Sequence, residues 1–206
     1  MINESNIIIK KARELYYKYG IKSITMDDVA REMGISKKTL YKEVKNKTEL
    51  VGRVIDFEIE KRTRESKELD NSALNAIEEL FEVNRQINYL LEKHNPSMHY
   101  DLRKYYPAIF KRLQESKRDG MFKSILNNLE KGKKEGLYRK EIDNEIIARV
   151  QVARAENVTE SSSVSIRDYI SRKFFSELFI YHIRGIANNK GIKFLEDNID
   201  QLKIKD

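Results

Sequence analysis

The scarcity of chain-breaking residues is the feature that most constrains the fold. Only 2 prolines and 8 glycines interrupt 206 residues, which is too few for the turns of a many-stranded sheet protein. No segment keeps up the period-2 alternation of apolar and polar residues that marks a half-buried strand, and no internal repeat is visible. Apolar residues recur instead at helical spacing, as in Ile8, Ala12, Leu15 and Tyr19. We therefore predict an all-α fold.

Capping residues predict where the first helices begin and end. A helix from about Ser5 to Tyr19 should end at Gly20, because glycine commonly closes a helix C-terminus. Thr25 and Asp28 have the spacing of a capping box, and Ser36 is a good N-cap for another helix. The later predicted helices run from Lys37 to about Val44, from an Asn46 cap to about Glu68, and over Ser72–Lys93, Pro107–Glu135, Asn144–Ala155 and Ser165–Asn188, with a short one after Gly191, a connecting segment at Asn95–Pro107 and a loop at Thr159–Ser163.

The positive charge of the chain is concentrated in one short segment. The formal net charge is +7, which favours a polyanionic partner such as nucleic acid, although a general bias towards lysine would also produce it. The twelve residues from Ser36 to Lys47 contain five lysines and a single acidic residue, Glu43. More than half of the net charge of the chain therefore lies in this segment. This localisation favours a docking surface over a general bias.

Several function classes find no support in the sequence. The absence of cysteine excludes disulfides, thiolate metal sites and cysteine nucleophiles. We find no phosphate loop, nucleophile elbow, zinc helix motif or dinucleotide fingerprint, and His94 and His99 lack a metal-ligand arrangement. Because Lys10, Lys11 and Arg13 come before any signal-length apolar run forms, we expect no signal peptide, and no apolar run approaches the roughly 18 residues that span a bilayer. We expect a cytoplasmic protein that is not an enzyme and needs no cofactor or metal.

Residues Thr25 to Val44 have the parts of a helix-turn-helix. A short helix precedes Gly34, which tolerates the positive φ of a tight turn, and Ser36 opens a second helix that presents polar donors. Such donors suit phosphate oxygens and base edges, and free N–H groups at helix N-termini also favour phosphates. The alternative is a solvated, lysine-rich helix pair without a DNA partner. The candidate DNA-binding residues are Thr25, Ser36, Lys37, Lys38, Thr39, Tyr41, Lys42 and Lys47.

The amino-acid sequence of this segment closely resembles that of the TetR family of bacterial regulators. The most specific piece is Gly-Ile-Ser-Lys-Lys-Thr-Leu-Tyr at 34–41, followed by Lys-Thr-Glu-Leu at 47–50. The resemblance covers about Ile8 to Leu50. It implies an all-helical homodimer with a three-helix DNA-binding head, here residues 1–48, and a helical effector-binding and dimerisation domain, here 49–206. It also implies that Thr25, Lys37, Thr39, Tyr41 and Lys47 face the DNA.

The segment departs from the family pattern in two places, at Lys38 and at Glu43 with Val44. Lys38 stands where the family often has glycine, which adds a cation to the recognition helix. Glu43 stands where an aromatic residue or histidine is usual, and Val44 follows in place of phenylalanine. Because a carboxylate would repel a nearby phosphate, no DNA contact is assigned to Glu43.

The remaining chain predicts a dimer and a ligand pocket without a diagnostic motif. The last long helix is apolar on two faces, one with Ile166, Ile170, Phe174 and Leu178, which indicates burial on both sides. It could pair with the helix around Ile146 in a four-helix interface, or be the central core helix of a monomer. The candidate interface residues are Ile146, Val150, Phe175, Phe179, Ile183 and Ile186. The candidate pocket residues, for which ordinary packing is the alternative, are Tyr89, His99, Tyr100, Tyr105, Phe110 and Phe122.

Together these features predict a sequence-specific transcriptional regulator. The expected partners are a double-stranded DNA operator, a second copy of the chain and an unidentified small-molecule effector, and the expected mode is ligand-responsive repression at a palindromic operator. A non-specific architectural DNA-binding protein is the alternative.

Overall fold

The computed structural model describes residues 4–92, 96–157 and 171–202. Within these residues the regular structure is helical, with one isolated antiparallel bridge between Tyr138 and Ala187, so the all-α prediction is confirmed. The predicted loop at Thr159–Ser163 and the predicted start of the last long helix, with Ile166 and Ile170, lie outside the described residues. The helices are α1 Glu4–Tyr19, α2 Met26–Glu32, α3 Lys37–Glu43, α4 Lys47–Asp70, α5 Ala76–Glu92, α6 Pro96–Tyr105, α7 Pro107–Lys134, α8 Asn144–Asn157, α9 Arg172–Ile186 and α10 Asn189–Asn198, with a 3₁₀ turn at Ile199–Gln201.

The prediction of a connecting segment before Pro107 is wrong in one respect, because this segment contains the helix α6. Each of the two prolines is the first residue of a helix, α6 or α7. Proline is tolerated there because the first N–H groups of a helix have no intrahelical partner to lose. The prolines therefore start helices instead of interrupting them.

The chain divides into two compact units, Met1–Arg64 with Asn95–Lys117, and Glu65–His94 with Arg118–Asp206. The first core is built on α1 to α3, where Ala12, Val29 and Leu40 are fully buried, and it also takes in Leu50 and Leu102 from α4 and α6. The division into compact units therefore does not coincide with the predicted domain boundary at residue 48. That boundary remains a prediction about how DNA binding and effector binding are divided along the chain.

In the second unit, α5 packs against α9 around a core that includes Ile77, Phe81 and Ile183. A buried polar network crosses this core. Tyr138 donates from its hydroxyl to Asn128 Oδ1 at 3.0 Å, and Asn128 Nδ2 donates to the carbonyl of Ala76 at 2.8 Å. These bonds satisfy groups that would be costly to bury alone. Within the described residues, no helix is both long and apolar enough to cross a bilayer.

Candidate DNA-binding surface

Side-chain caps fix the start of each helix in the helix-turn-helix. Thr25 Oγ1 accepts from the backbone N–H of Asp28 at 3.1 Å, and Asp28 Oδ2 accepts from the N–H of Thr25 at 2.9 Å. The predicted capping box is confirmed. Ser36 caps α3 as predicted, because its Oγ accepts from the N–H of Thr39 at 3.1 Å. Local hydrogen bonds within four residues therefore define both helices.

The turn between α2 and α3 depends on Gly34. Its φ is +66°, a left-handed conformation that glycine adopts without steric cost. The N–H of Ile35 then donates to the carbonyl of Ala30 at 3.0 Å, which closes the end of α2. Ile35 is half-buried against the first core. The turn sets the direction in which α3 leaves.

Burial of one side of α3 determines what the other side presents. Leu40 is fully buried and Val44 nearly so, and these apolar anchors hold the helix against α2. The opposite side is solvent-exposed and consists of Lys37, Lys38, Thr39, Tyr41 and Lys42. With the exposed caps Thr25 and Ser36, the candidate residues of the helix-turn-helix lie on accessible surface, so donors are available to a duplex. Contact with DNA itself remains a prediction.

The lysines of α3 differ in their electrostatic state. Lys37 Nζ forms an ion pair with Asp27 of α2, so part of its charge is already compensated. Lys38 and Lys42 are exposed and have no ion-pair partner among the described residues. Their charge is therefore the more available to a polyanion.

Lys47 is held differently from the other candidates. It is the first residue of α4, and its Nζ donates to the backbone carbonyl of Lys22 at 3.3 Å. Partial burial lowers the pKa of Lys47, an effect that Asp101 and Asp28 oppose by charge attraction. Two N–H donors remain after the bond to Lys22, so a phosphate contact stays chemically possible.

Asp101 is a structural residue of this region that the sequence did not reveal. It lies on α6, is 6% exposed, and its Oδ2 accepts from the N–H of Lys22 at 2.7 Å. The same oxygen lies 3.1 Å from where a Cβ would stand on Gly20. Asp101 therefore fixes the turn between α1 and α2. The two partners are 79 residues apart, and no local pattern signals such a pair.

The family comparison agrees with this geometry. The model of "Bacterial regulatory proteins, tetR family" matches residues 8–54, which comprise nearly all of α1, α2, α3 and the start of α4. Over these residues the chain is similar to bacterial regulatory proteins of the tetR family. This match supports the expectation of a transcriptional regulator that is not an enzyme. No curated protein sequence is significantly similar to the chain.

Solved structures of TetR-family and other regulators have the same fold. A transcriptional regulator from Cytophaga hutchinsonii superposes with a TM-score of 0.70 at 16% identity, covering 89% of this chain and 98% of that one. The TetR-family protein CprB from S. coelicolor A3(2) gives 0.62 at 14% identity, covering 98% and 100%. SmeT, in its complex with triclosan, gives 0.64 at 14% identity, covering 90% and 92%. At these identities the likeness concerns the fold alone.

The six candidate pocket residues do not form one cluster in either compact unit. His99 and Phe110 meet edge to face at 5.0 Å between ring centroids in the first unit, where Tyr100 and Tyr105 are exposed. Tyr89 and Phe122 belong to the second unit. Tyr89 is exposed on α5, and the ring of Phe122 lies 5.5 Å from the guanidinium carbon of Arg149. Their role in binding a ligand stays a prediction.

Two buried amides on α5 were not anticipated. The Oδ1 atoms of Asn84 and Asn88 are shielded from solvent and have no hydrogen-bond partner among the described residues. The two residues are one helical turn apart and so share a face. A buried carbonyl oxygen without a donor is rare and calls for an explanation such as a bound group. A separate surface cleft of the second unit is lined by polar and charged residues, namely Asp70, Glu79, Asn127, Glu130, Lys131, Lys134 and Glu135.

The candidate dimer surface needs a correction at Ile183 and Ile186. Both are buried in the second unit's own core, at 0% and 2% exposure, so their side chains are not available to a partner. Ile146 and Val150 are exposed on α8, at 60% and 56%. Phe175 and Phe179 are half-buried on α9.

The most exposed aromatic residue of α9 was missed. Tyr181 is 76% exposed, and it was not noticed because its helical neighbours on that side, such as Glu177 and Gly185, are not apolar. Helices α8 and α9 are joined by a hydrogen bond of 2.7 Å between Gln151 Nε2 and His182 Nδ1. The second unit therefore presents apolar groups on both of these helices.

Proposed function

We propose that the chain is a sequence-specific, ligand-responsive repressor that binds a palindromic operator as a homodimer. The observation that carries the proposal is the exposed, cationic side of α3, held outward by buried Leu40 and Val44. A helix of this kind fits the major groove of B-DNA, where base edges and phosphates present acceptors.

The donors of α3 divide into two roles. Lys38 and Lys42 have uncompensated charges and supply phosphate or guanine contacts, whereas Tyr41 offers a hydroxyl and an exposed ring. Thr25 and Ser36 stand at helix N-termini, where N–H groups and the helix dipole favour phosphate. Lys47 adds a contact to the adjoining backbone.

Dimerisation supplies the second half of the recognition. The proposed interface consists of Ile146 and Val150 on α8 and Tyr181 on α9. These apolar groups are exposed in one subunit, and burying them against the same groups of a second subunit lowers the free energy. Two copies about a two-fold axis would read half-sites whose centres are about 34–36 Å apart or a multiple of that distance.

A small molecule is the proposed effector, acting within the cytoplasm. SmeT was solved with triclosan bound, and for this chain the unpartnered oxygens of Asn84 and Asn88 are the proposed polar contacts. Since both are acceptors, they favour an effector that carries O–H or N–H donors. Such an effector releases DNA only if it binds two dimer shapes with different affinity.

Selection of bound sites from random duplex DNA tests the proposal. The full-length chain, at one fixed salt concentration, should enrich an inverted repeat, and a reporter gene behind that repeat should be expressed less when the chain is present. Retention of DNA without enrichment of any sequence would favour the architectural alternative. A reporter that rises with the chain would contradict repression.

A further inference from the structure

A cluster of lysine and tyrosine side chains occupies the exposed side of α6. Tyr100 and Tyr105 are 56% and 41% exposed. The Nζ of Lys104 lies 5.2 Å from the Tyr100 ring centroid and 5.6 Å from that of Tyr105, and it hydrogen-bonds the Tyr100 hydroxyl at 2.8 Å. These contacts hold the lysine at the surface without covering its charge.

Lys22 extends the cluster to the turn between α1 and α2. Its Nζ lies 5.3 Å from the Tyr105 ring centroid. Its backbone is fixed on both sides, since the N–H donates to Asp101 and the carbonyl accepts from Lys47. We call Lys22, Tyr100, Lys104 and Tyr105 the α6 patch. It is continuous with the proposed DNA-binding surface through Lys47.

The α6 patch is positively charged and uncompensated. Neither Lys22 nor Lys104 has a carboxylate partner among the described residues, and Arg103 is a further exposed cation on α6. The nearby carboxylate, Asp101, is buried and hydrogen-bonded to the backbone of Lys22. The hydrogen bond that Lys104 donates to the Tyr100 hydroxyl, together with the charge interaction between the two groups, raises the pKa of Lys104, so this side chain keeps its proton.

We propose that the α6 patch binds the phosphate backbone of the DNA that flanks the half-site read by α3. Lysine ammonium and tyrosine hydroxyl groups are common phosphate donors, and such contacts position a protein without reading sequence. The inference rests on the proposed function and enlarges its footprint. It assigns Tyr100 and Tyr105 to DNA instead of to an effector pocket.

Two duplexes that differ only in length test the inference. One ends at the outer edges of the selected inverted repeat, and the other adds about ten base pairs, one helical turn, on each side. The parent chain should bind the longer duplex several-fold more tightly, with a steeper loss of affinity with salt. Lys104→Ala and Lys22→Ala should each reduce that gain and lower the salt slope on the longer duplex by about 1.

The control is Lys111→Ala, which removes an exposed lysine of α7 in the same compact unit. It should bind both duplexes like the parent, and all three variants should bind the shorter duplex like the parent. A length gain that survives in Lys104→Ala, or is missing in the parent, would overturn the inference. So would an equal loss on both duplexes, since the patch would then act by positioning α3. If the parent shows no preference for the selected site on the shorter duplex, the proposed function fails, and the inference fails with it.

Discussion

Leu40 and Tyr41 are neighbours in sequence but have opposite environments. Leu40 has no exposed surface, whereas 48% of Tyr41 is exposed. The difference follows from helix geometry, because consecutive residues are rotated by about 100° around the axis. A buried anchor therefore fixes the direction of the adjacent side chain, and it gives Tyr41 and Lys42 a defined position for contact with a groove.

Tyr41→Ala and Lys47→Ala should each weaken binding to the selected operator while leaving the dimer intact. We expect a loss of about 1–3 kcal/mol for a base contact and a smaller, salt-dependent loss for a phosphate contact. Fluorescence anisotropy with labelled operator measures the affinity. Lys190→Ala, which removes an exposed lysine of α10, is the control. Parent-like binding by both variants would show that the contacts are assigned wrongly.

Residue-level features could be predicted where their partners are close in sequence. The caps at Thr25 and Ser36 were predicted because each partner lies three residues away, and Gly34 because its turn is local. Asp101 could not be predicted, since its partner Lys22 comes from a distant part of the chain. At Ile183 the periodicity identified an apolar side chain, but periodicity alone does not say whether the subunit or a partner covers it.

At the scale of elements, the C-terminal part of α7 depends on a close approach to the segment that follows it. A Cβ at Gly132 would overlap the ring of Tyr138, which is fully buried and hydrogen-bonded to Asn128. The carbonyl of Gly132 also accepts from the N–H groups of Leu137 and Tyr138. The glycine is thus part of how the chain turns back after α7.

Gly132→Ala should lower the free energy of unfolding by about 1–3 kcal/mol, because the buried ring has little room to move. Gly120→Ala is a matched control on the same helix, where a Cβ would meet no atom within 4 Å. It should be neutral or stabilising by up to about 1 kcal/mol. Urea denaturation followed by circular dichroism measures both. Equal stability of the two variants would contradict the described packing.

The junction of α8 and α9 should be sensitive to acid. Burial, with a contribution from Arg154, lowers the pKa of His182 to about 4, below its ordinary value near 6.5. Between these pH values the unfolded chain binds a proton at His182 that the folded chain does not bind. The full free energy of unfolding is therefore kept above pH 6.5, and it decreases as the pH falls from 6.5 towards 4. Protonation would also remove the acceptor for Gln151.

We expect the parent to lose about 1–2 kcal/mol more than a His182→Gln variant between pH 7 and pH 5. Urea unfolding at several pH values gives the comparison. His99→Gln, which replaces an exposed histidine of α6, should follow the parent. If the parent and His182→Gln lose stability in parallel, His182 is not the responsible group.

At the scale of the whole molecule, the fold follows from sparse helix breakers and helical periodicity, and the resemblance to the TetR family follows from the local sequence of the helix-turn-helix. The path of the first unit was less predictable, because α6, which belongs to it, begins at a proline that was interpreted as part of a connecting segment. The division into compact units also differs from the predicted boundary, since Leu50 of α4 and Leu102 of α6 pack into the same core as α1.

Val150→Lys should convert the proposed dimer into monomers, because a lysine ammonium would have to be desolvated at the interface. Ile7→Lys is the matched control, since Ile7 is an exposed apolar residue of the first unit, at 46%. Sedimentation equilibrium should give a dimer for the parent and for Ile7→Lys. A Val150→Lys variant that remains fully dimeric would place the interface elsewhere.

The most direct test of the central claim, that the exposed side of α3 reads DNA sequence, is a competition measurement at one fixed salt concentration. The selected operator and a scrambled duplex of the same length and composition compete for the parent chain and for a Lys38→Ala, Lys42→Ala double variant. We expect the parent to prefer its operator by on the order of 10³-fold or more, and the double variant to bind the operator more weakly. Equal affinity of the parent for the operator and the scrambled duplex would contradict the claim.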